Sequence, residues 1–238
     1  MISVCIATHN GEKYIKAQLD SILCQLEGED EVIISDDHSG DHTIDIITHY
    51  NDQRIQIYRN ERRRGVIGNF ENALNHAKGD FIFLADQDDV WKENKVRECM
   101  ENLKNDALVI SDCAVVDTDL KLIHPSFFAH NHTRKGLVQN VRHNSYIGCC
   151  MAFRRILLQH CLPFPKQIPM HDIWIGFVAG LFHTTCFIPQ VLVLYRRHGD
   201  NITSTSRRSD NSMWKKIIFR WNLIRYIPLL FLRKRKNS

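Results

Sequence analysis

The first half of the chain alternates short apolar runs with segments whose apolar residues recur at helical spacing, and this alternation constrains the fold most. The apolar runs cover residues 3–8, 31–35, 55–58, 80–85 and 107–111. Helical spacing covers residues 12–25, 43–50, 66–78 and 91–103. Such alternation predicts an α/β fold with a doubly wound, mostly parallel sheet flanked by helices. In folds of this kind, ligands bind beyond the carboxyl ends of the strands.

The second half is less regular. Residues 172–182 have a helical pattern, and residues 185–188 and 191–195 are two β-like runs separated by Pro189 and Gln190, which predicts a hairpin. There is neither an internal repeat nor a long linker, so we expect one domain over residues 1–206. Its two halves are of nucleotide-binding type at 1–112 and of acceptor-binding type at 113–206, and residues 207–238 form a separate tail.

Composition excludes several classes of protein. A chain of 238 residues with 44% hydrophobic and 24% charged residues is neither disordered nor fibrous. Its eight cysteines include no Cys-x-x-Cys pair, so we expect buried, reduced thiols rather than a structural zinc site. From residue 207 onward there are ten Lys or Arg and one acid, whereas the remainder is acidic, so we expect no nucleic-acid partner.

The two ends of the chain bear on location. The first residues enter a strand at once and lack the basic and apolar regions of a signal peptide, so we expect a cytoplasmic protein. Residues 213–232 combine aromatic and aliphatic bulk with interspersed bases, and are too charged to span a bilayer. They predict an amphipathic helical tail that lies on an anionic membrane surface, at its inner face. The alternative is a helix packed on the domain with a solvated basic end.

Polar residues cluster at the ends of three predicted strands, in residues 8–12, at Asp36 and Asp37, and in residues 86–89. The last segment holds three carboxylates in four residues, which repel one another unless a cation compensates them. Oxygen ligands favour Mg²⁺ or Mn²⁺, ions that bridge a carboxylate and a diphosphate. The alternative is a solvated acidic turn in which Asp88 or Asp89 caps a helix beginning near Trp91.

Taken in order, these segments resemble family 2 glycosyltransferases of the GT-A fold, in particular the bacterial rhamnosyltransferase-like enzymes of surface polysaccharide synthesis. The resemblance extends to about residue 205 and implies a Rossmann-like sheet. The motifs that carry it are Val4–Tyr14, Ser35–Thr43, Gly65–Phe70, Gly79–Trp91, Gly148–Phe153, Met170–Trp174 and Tyr195–Asn201.

The resemblance also implies roles for single residues. Thr8, Glu12, Asp36 and Asp37 correspond to the pocket for the base and ribose of a nucleotide sugar, and Asp86 lies nearer the ribose.

The remaining roles concern the metal and the base. Asp88 corresponds to the ligand of a metal that bridges the donor diphosphate, and His198 to a metal or diphosphate contact. Asp172 corresponds to the catalytic base. The family often has a Glu-Asp pair at the base, where this chain has His171 and Asp172. His171 either tunes Asp172, touches the acceptor or caps a helix.

The implied activity is a metal-dependent transfer of a sugar, with inversion, in bacterial cell-surface polysaccharide synthesis (O-antigen or capsule). The donor is a UDP- or TDP-linked sugar, with rhamnose suggested by the resemblance, and the acceptor is a glycan or a polyprenyl-linked glycan. Direct displacement needs a base at the acceptor hydroxyl and positive charge at the leaving diphosphate, which Asp172 and a metal on Asp88 supply.

Two alternatives remain open. A sugar-phosphate nucleotidyltransferase also uses a Rossmann-like sheet with acidic metal ligands, but it needs a Gly-rich, basic phosphate loop, which residues 8–12 do not provide. A catalytically silent, membrane-attached module that binds nucleotide sugars has no need of Asp88 and Asp172.

Overall fold

A computed structural model describes residues 1–198 and 213–236 of the chain. Its strands are β1 Ile2–Thr8, β2 Glu31–Asp36, β3 Ile55–Arg59, β4 Phe81–Asp86, β5 Val90–Trp91, β6 Leu108–Val116, β7 Leu122–His124, β8 Met151–Arg154 and β9 Thr185–Arg196. Its helices are α1 Ile15–Leu23, α2 Thr43–Thr48, α3 Val66–His76, α4 Lys95–Asn102, α5 Phe127–His130, α6 Leu137–Arg142, α7 Leu158–Cys161, α8 His171–Phe182, α9 Met213–Ile224 and α10 Ile227–Lys236. The predicted boundary at residues 206 and 207 lies outside the described residues.

One sheet of mixed direction forms the centre of the molecule, with strand order β3-β2-β1-β4-β8-β6-β9-β5 and β7 paired to β6. The first four strands are parallel, as predicted, and β6 and β9 are parallel to each other. Between these groups lies β8, antiparallel to both β4 and β6. The mostly parallel α/β fold is confirmed, but the run at 107–111 does not pair with β4, because β8 lies between them.

Two local predictions are wrong. Residues 185–196 form one strand instead of a hairpin, because Pro189 and Gln190 bulge out between Ile188 and Val191, which pair with consecutive residues of β6. Proline has no N–H to give to the ladder, so a bulge is where a strand accommodates it. The predicted helix over residues 91–103 begins only at Lys95, because Val90 and Trp91 pair with β9.

The core lies on both faces of the sheet. Val4, Cys5 and Ile6 are consecutive in β1 and fully buried, so neighbouring side chains on opposite faces are both covered. β6 is buried along its whole length, and it crosses residues 112 and 113, where the two predicted halves meet. Strands from both halves therefore belong to one sheet. Six of the eight cysteines are buried, and all eight are free thiols.

The tail packs against the domain in its described part. Leu223 of α9 and Leu230 of α10 are buried. Arg220 donates hydrogen bonds to the carbonyl oxygens of Val141 and Arg142 at 3.1 and 2.8 Å. Among the helices within residues 1–198 and 213–236, none has the length and hydrophobicity needed to cross a membrane.

Candidate active site

The ends of β1, β2 and β4 lie side by side at one edge of the sheet. Thr8 pairs with Asp36 across β1 and β2, and Ala7 pairs with Asp86 across β1 and β4. Parallel strands in register carry their following turns to the same edge. The three polar segments predicted to meet are therefore brought together.

At the first two strand ends, a buried hydrogen-bond network surrounds Asp36. The Thr8 hydroxyl donates to Asp36 Oδ1 at 3.0 Å, and both the backbone N–H and the hydroxyl of Ser39 donate to the same carboxylate. Asn69, on the buried face of α3, donates its side-chain N–H to the Thr8 carbonyl oxygen at 3.0 Å. Sequence reasoning assigned no role to Asn69, although an amide on the apolar face of a helix is a detectable signal.

Asp37 and Glu12 lie beside this network and hold neighbouring backbone. Asp37 accepts from the Asn60 amide at 2.9 Å and from the Gly65 N–H at 2.7 Å. Gly65 has φ of +89°, a conformation that favours glycine, and it leads directly into α3. The Glu12 carboxylate accepts from the His42 N–H at 3.0 Å, just before α2.

The third strand end is an acidic turn, defined as residues 86–89. Burial, followed by the charges of Asp88 and Asp172, raises the pKa of Asp86 to about 8. Asp89 is fully buried, and burial together with Asp88 and Asp86 raises its pKa well above the usual range. One oxygen of Asp89 accepts from the Arg196 N–H at 2.9 Å, whereas Oδ2 has no hydrogen-bond partner within residues 1–198 and 213–236. The raised pKa values mean that these neighbouring, desolvated carboxyl groups resist ionisation when no cation lies between them.

Two groups of side chains, each combining residues of the acidic turn with a residue from another part of the chain, could hold a cation. Asp88 Oδ2 and His198 Nε2 are 2.6 Å apart, and both side chains are nearly buried. One ligand atom from each of Asp86, Asp89 and Cys149 lies within 4.8 Å of the others. Sequence reasoning missed Cys149, because only the position of β8 next to β4 brings its thiol to the acidic turn.

Arg196 fastens the acidic turn to the end of β9. It is 5% exposed, and its Nε donates to the Asp88 carbonyl oxygen at 2.7 Å. Its guanidinium also donates to the carbonyl oxygen of Thr118 and lies 4.8 Å from the centre of the Tyr14 ring. The Tyr14 ring in turn stacks on His198 at 5.0 Å. The described contacts of Arg196 are thus within the protein. They hold the Asp88 backbone, and the Tyr14 ring contacts both the guanidinium and His198.

Asp172 lies in the first turn of α8, close enough to Asp86 to influence its pKa. Its carboxylate accepts from the N–H of Gly148 at 3.1 Å and from the N–H of Ile173 at 2.7 Å. Burial raises the pKa of Asp172 to about 6, although these backbone donors favour the charged form. A carboxyl group with such a pKa can accept a proton near neutral pH.

His171 does not cap α8, because the capping position is Met170 and His171 is the first helical residue. Its ring is buried and stacks on Phe70 at 4.0 Å, and neither ring nitrogen has a hydrogen-bond partner in the part of the chain that the structure describes. Burial lowers the pKa of His171 to about 3, so the imidazole is neutral. Trp174 is fully buried and belongs to the core.

Comparison with known proteins adds to this geometry. Residues 3–162 match the family model for glycosyl transferase family 2. A relative in Escherichia coli, UDP-Glc:alpha-D-GlcNAc-diphosphoundecaprenol beta-1,3-glucosyltransferase WfgD, is 28% identical over 90% of this chain and 84% of its own length. The dTDP-rhamnosyl transferase RfbG of Shigella flexneri is 26% identical over 82% and 72% of the two chains.

A solved structure has the same fold. TarS of S. aureus, residues 1–349 in complex with UDP-GlcNAc, superposes with a TM-score of 0.70 at 19% identity, covering 95% of this chain and 72% of that one.

Proposed function

Because the chain belongs to glycosyl transferase family 2 and is a glycosyltransferase, we propose that it transfers a sugar with inversion from a nucleoside-diphosphate sugar to a glycan or polyprenyl-linked acceptor. The setting is the synthesis of bacterial cell-surface polysaccharide. The observation that carries the proposal is the position of Asp172, a half-buried carboxylate with a pKa raised to about 6, beside the acidic turn at the sheet edge.

The donor pocket of this proposal consists of Thr8, Glu12, Asp36, Asp37 and Asp86. The network around Asp36 and the left-handed Gly65 give it a fixed wall, which lowers the entropic cost of binding. The names of the relatives support either a UDP- or a dTDP-linked sugar, since one uses UDP-Glc and the other is a dTDP-rhamnosyl transferase. Rhamnose is accordingly one of the sugars to test.

The acidic turn fits a divalent cation. Asp88 and His198 would hold Mg²⁺ or Mn²⁺, because carboxylate oxygen and imidazole nitrogen suit these ions and Arg196 holds the backbone of Asp88 in place. Oδ2 of buried Asp89, which accepts no hydrogen bond from the described residues, is a further oxygen ligand for such an ion. A bound ion would neutralise charge that develops on the leaving diphosphate.

Asp172 is the proposed base. As the acceptor oxygen forms its bond to the anomeric carbon, the bond to the diphosphate oxygen breaks and the hydroxyl proton moves to the Asp172 carboxylate. The N–H groups of Gly148 and Ile173 orient that carboxylate and keep it from rotating away. Orientation of this kind accounts for much of the gain from a positioned base.

We place the enzyme in the cytoplasm, at the inner face of the membrane. The E. coli relative acts on a diphosphoundecaprenol-linked sugar, as its name states. An acceptor carried on a lipid of that kind would require the site to work close to a bilayer surface. The basic composition of the chain after residue 207 suits an anionic lipid surface.

The test uses purified protein with UDP-, TDP- and GDP-sugars, with and without Mn²⁺ or Mg²⁺, in the presence of membrane lipid extract. Release of nucleoside diphosphate is measured for the wild type, Asp88→Ala and Asp172→Asn, with Asp119→Asn as a control, because Asp119 is exposed. We expect metal-dependent release from one donor that is lost in the first two variants and kept in the control. Metal-independent release, or full activity of Asp172→Asn, contradicts the proposed mechanism.

A further inference from the structure

The two tail helices expose many of their large apolar side chains. The large apolar residues of α9 and α10 that are at least 40% exposed are Trp214, Ile217, Ile218, Phe219, Trp221, Ile224, Phe231 and Leu232. Trp214 and Trp221 are 74% and 61% exposed. We call this set the outer apolar face. An ordinary surface helix has the opposite arrangement, with its apolar stripe against the core.

The described arginines of the same helices face inward instead. Besides the bonds of Arg220 to α6, Arg233 donates to the carbonyl oxygens of His160, Cys161 and Pro163 at 2.8 to 3.1 Å, near the end of α7. These carbonyl groups at helix ends lack intrahelical partners, so the arginines hold the tail to the domain. The outer apolar face is therefore displayed by a docked element and does not result from a detached helix.

Contacts of aromatic rings reinforce this docking. Tyr226, between the two helices, meets Trp174 edge to face at 6.0 Å, and Phe231 meets Phe182 in the same manner at 5.3 Å. Val138 is 69% exposed on α6, the helix whose carbonyl groups Arg220 binds. A concentration of exposed large apolar side chains on a folded protein marks a contact with a partner or a membrane.

We propose that the outer apolar face is a membrane-insertion surface, which enters the interfacial layer of an anionic bilayer. Two tryptophans flanked by basic segments are the composition that such interfaces favour. A second copy of the chain is a poorer occupant, because ten bases and one acid after residue 206 would face the same charge in a symmetric dimer. The inference rests on the proposed function, whose lipid-linked acceptor lies at such a surface. Vesicle binding can be measured without turnover, so the two proposals can be tested separately.

This mode of binding differs from attachment by charge alone. Arg220 and Arg233 are hydrogen-bonded to carbonyl oxygens of the domain, so we expect the outer apolar face to supply part of the affinity, beside the other bases of the tail. Salt screens charge attraction but not apolar burial. We therefore expect binding to persist in part at high ionic strength.

The first experiment is sedimentation of the full chain with vesicles of phosphatidylglycerol and phosphatidylethanolamine, and with phosphatidylcholine vesicles. The variant changes Trp214, Ile217, Ile218 and Trp221 to Ser. The matched control changes Leu120, Leu122 and Ile123, which are exposed around β7, to Ser. We expect the first variant to bind anionic vesicles at least about tenfold more weakly and the control to bind like the wild type.

A second measurement reports insertion directly. Brominated lipids quench nearby indoles, and of the four tryptophans, Trp91 and Trp174 are buried whereas Trp214 and Trp221 are exposed. Quenching in the wild type that is lost in a Trp214→Phe, Trp221→Phe double variant, which keeps an apolar face, supports insertion.

Three outcomes overturn the inference. These are no vesicle binding by the wild type, equal binding by the four-residue variant, and a dimer in solution that this variant dissociates. Circular dichroism establishes that each variant is folded. Donor turnover in lipid-free buffer is measured in parallel, because loss of vesicle binding with turnover retained concerns only the surface. Loss of turnover with binding retained concerns only the proposed reaction.

Discussion

Asp172 combines burial with two backbone donors, and these act on its pKa in opposite directions. Burial dominates and raises the pKa to about 6, while the N–H groups of Gly148 and Ile173 keep the charged form accessible. A base poised there is largely ionised at neutral pH and still accepts a proton readily. The sequence shows that the residue is an aspartate, but the surroundings of the carboxylate in the fold set its pKa.

The first prediction concerns the raised pKa of Asp172. Since the base works only when deprotonated, kcat/KM should rise with pH through about 6 and fall tenfold per pH unit well below it. Asp172→Asn should reduce kcat by roughly 10²- to 10⁴-fold and remove that limb of the profile. Initial rates of nucleoside diphosphate release between pH 5 and pH 8 would test this, with Asp119→Asn as the control. An unchanged acid limb in Asp172→Asn assigns the titration to another group.

The second prediction concerns Asp86, whose pKa is about 8 in the folded chain against a usual 3.8. As pH rises from about 4 to about 8, the unfolded chain loses a proton that the folded chain keeps, so the free energy of unfolding should fall. The slope approaches about 1.4 kcal/mol per pH unit for each such group. Urea unfolding in metal-free buffer should show this decline, and Asp86→Asn should make it shallower. A decline that is equally steep in Asp86→Asn would exclude this residue as its source.

At the scale of elements, the Gly148–Cys150 turn before β8 has a larger role in positioning the residues of the candidate site than the sequence suggests. It supplies the N–H that holds Asp172, and it lies against the buried imidazole of His171. A Cβ on Gly148 would be 2.9 Å from His171 Nε2, and the imidazole is held by its stacking on Phe70. The close approach therefore requires glycine at this position.

The third prediction follows from that contact. Gly148→Ala should displace the turn and lower kcat by about tenfold to a hundredfold, because a small misplacement of a base is costly. Adding His171→Ala should restore part of the activity by making room for the methyl group. Gly28→Ala serves as the control, because a Cβ there meets nothing within 4 Å. If the double variant is no better than Gly148→Ala, steric contact with His171 is not the cause.

At the scale of the whole molecule, one continuous sheet underlies the proposed donor pocket, the acidic turn and the Gly148–Cys150 turn that holds the proposed base. β8 joins the β3-β2-β1-β4 group to β6 and β9, so backbone pairing is continuous between the two sides of the site. Ligands that bind only this folded arrangement should stabilise the chain as a unit.

The fourth prediction is a thermal shift. A nucleotide sugar that the enzyme uses as donor, added with Mn²⁺ at about one hundred times its Kd, should raise the free energy of unfolding by about 2.7 kcal/mol. For a chain of this size, that raises Tm by roughly 5–10 °C. Asp88→Ala should lose the metal-dependent part of the shift and Asp119→Asn should keep it, as followed by differential scanning fluorimetry. An equal shift in the presence of EDTA would show that the donor binds without a cation.

The sequence by itself determined the strand and helix alternation, the sheet edge at which Thr8, Asp36 and Asp86 meet, and the acidic turn. These depend on local periodicity and on the polarity of residues that follow a strand, which a reader of the chain can see. The parallel direction of the first four strands followed as well, because each crossover returns the chain to the same edge of the sheet.

Only the tertiary structure decided that β8 lies between β4 and β6, that Cys149 adjoins the acidic turn, and that the tail arginines face inward. Each of these contacts joins segments distant in sequence. Their formation depends on which edges and helix ends remain unpaired once the first strands have packed. The local periodicity of the sequence does not show which edges and helix ends will pair, so only the complete fold determines these contacts.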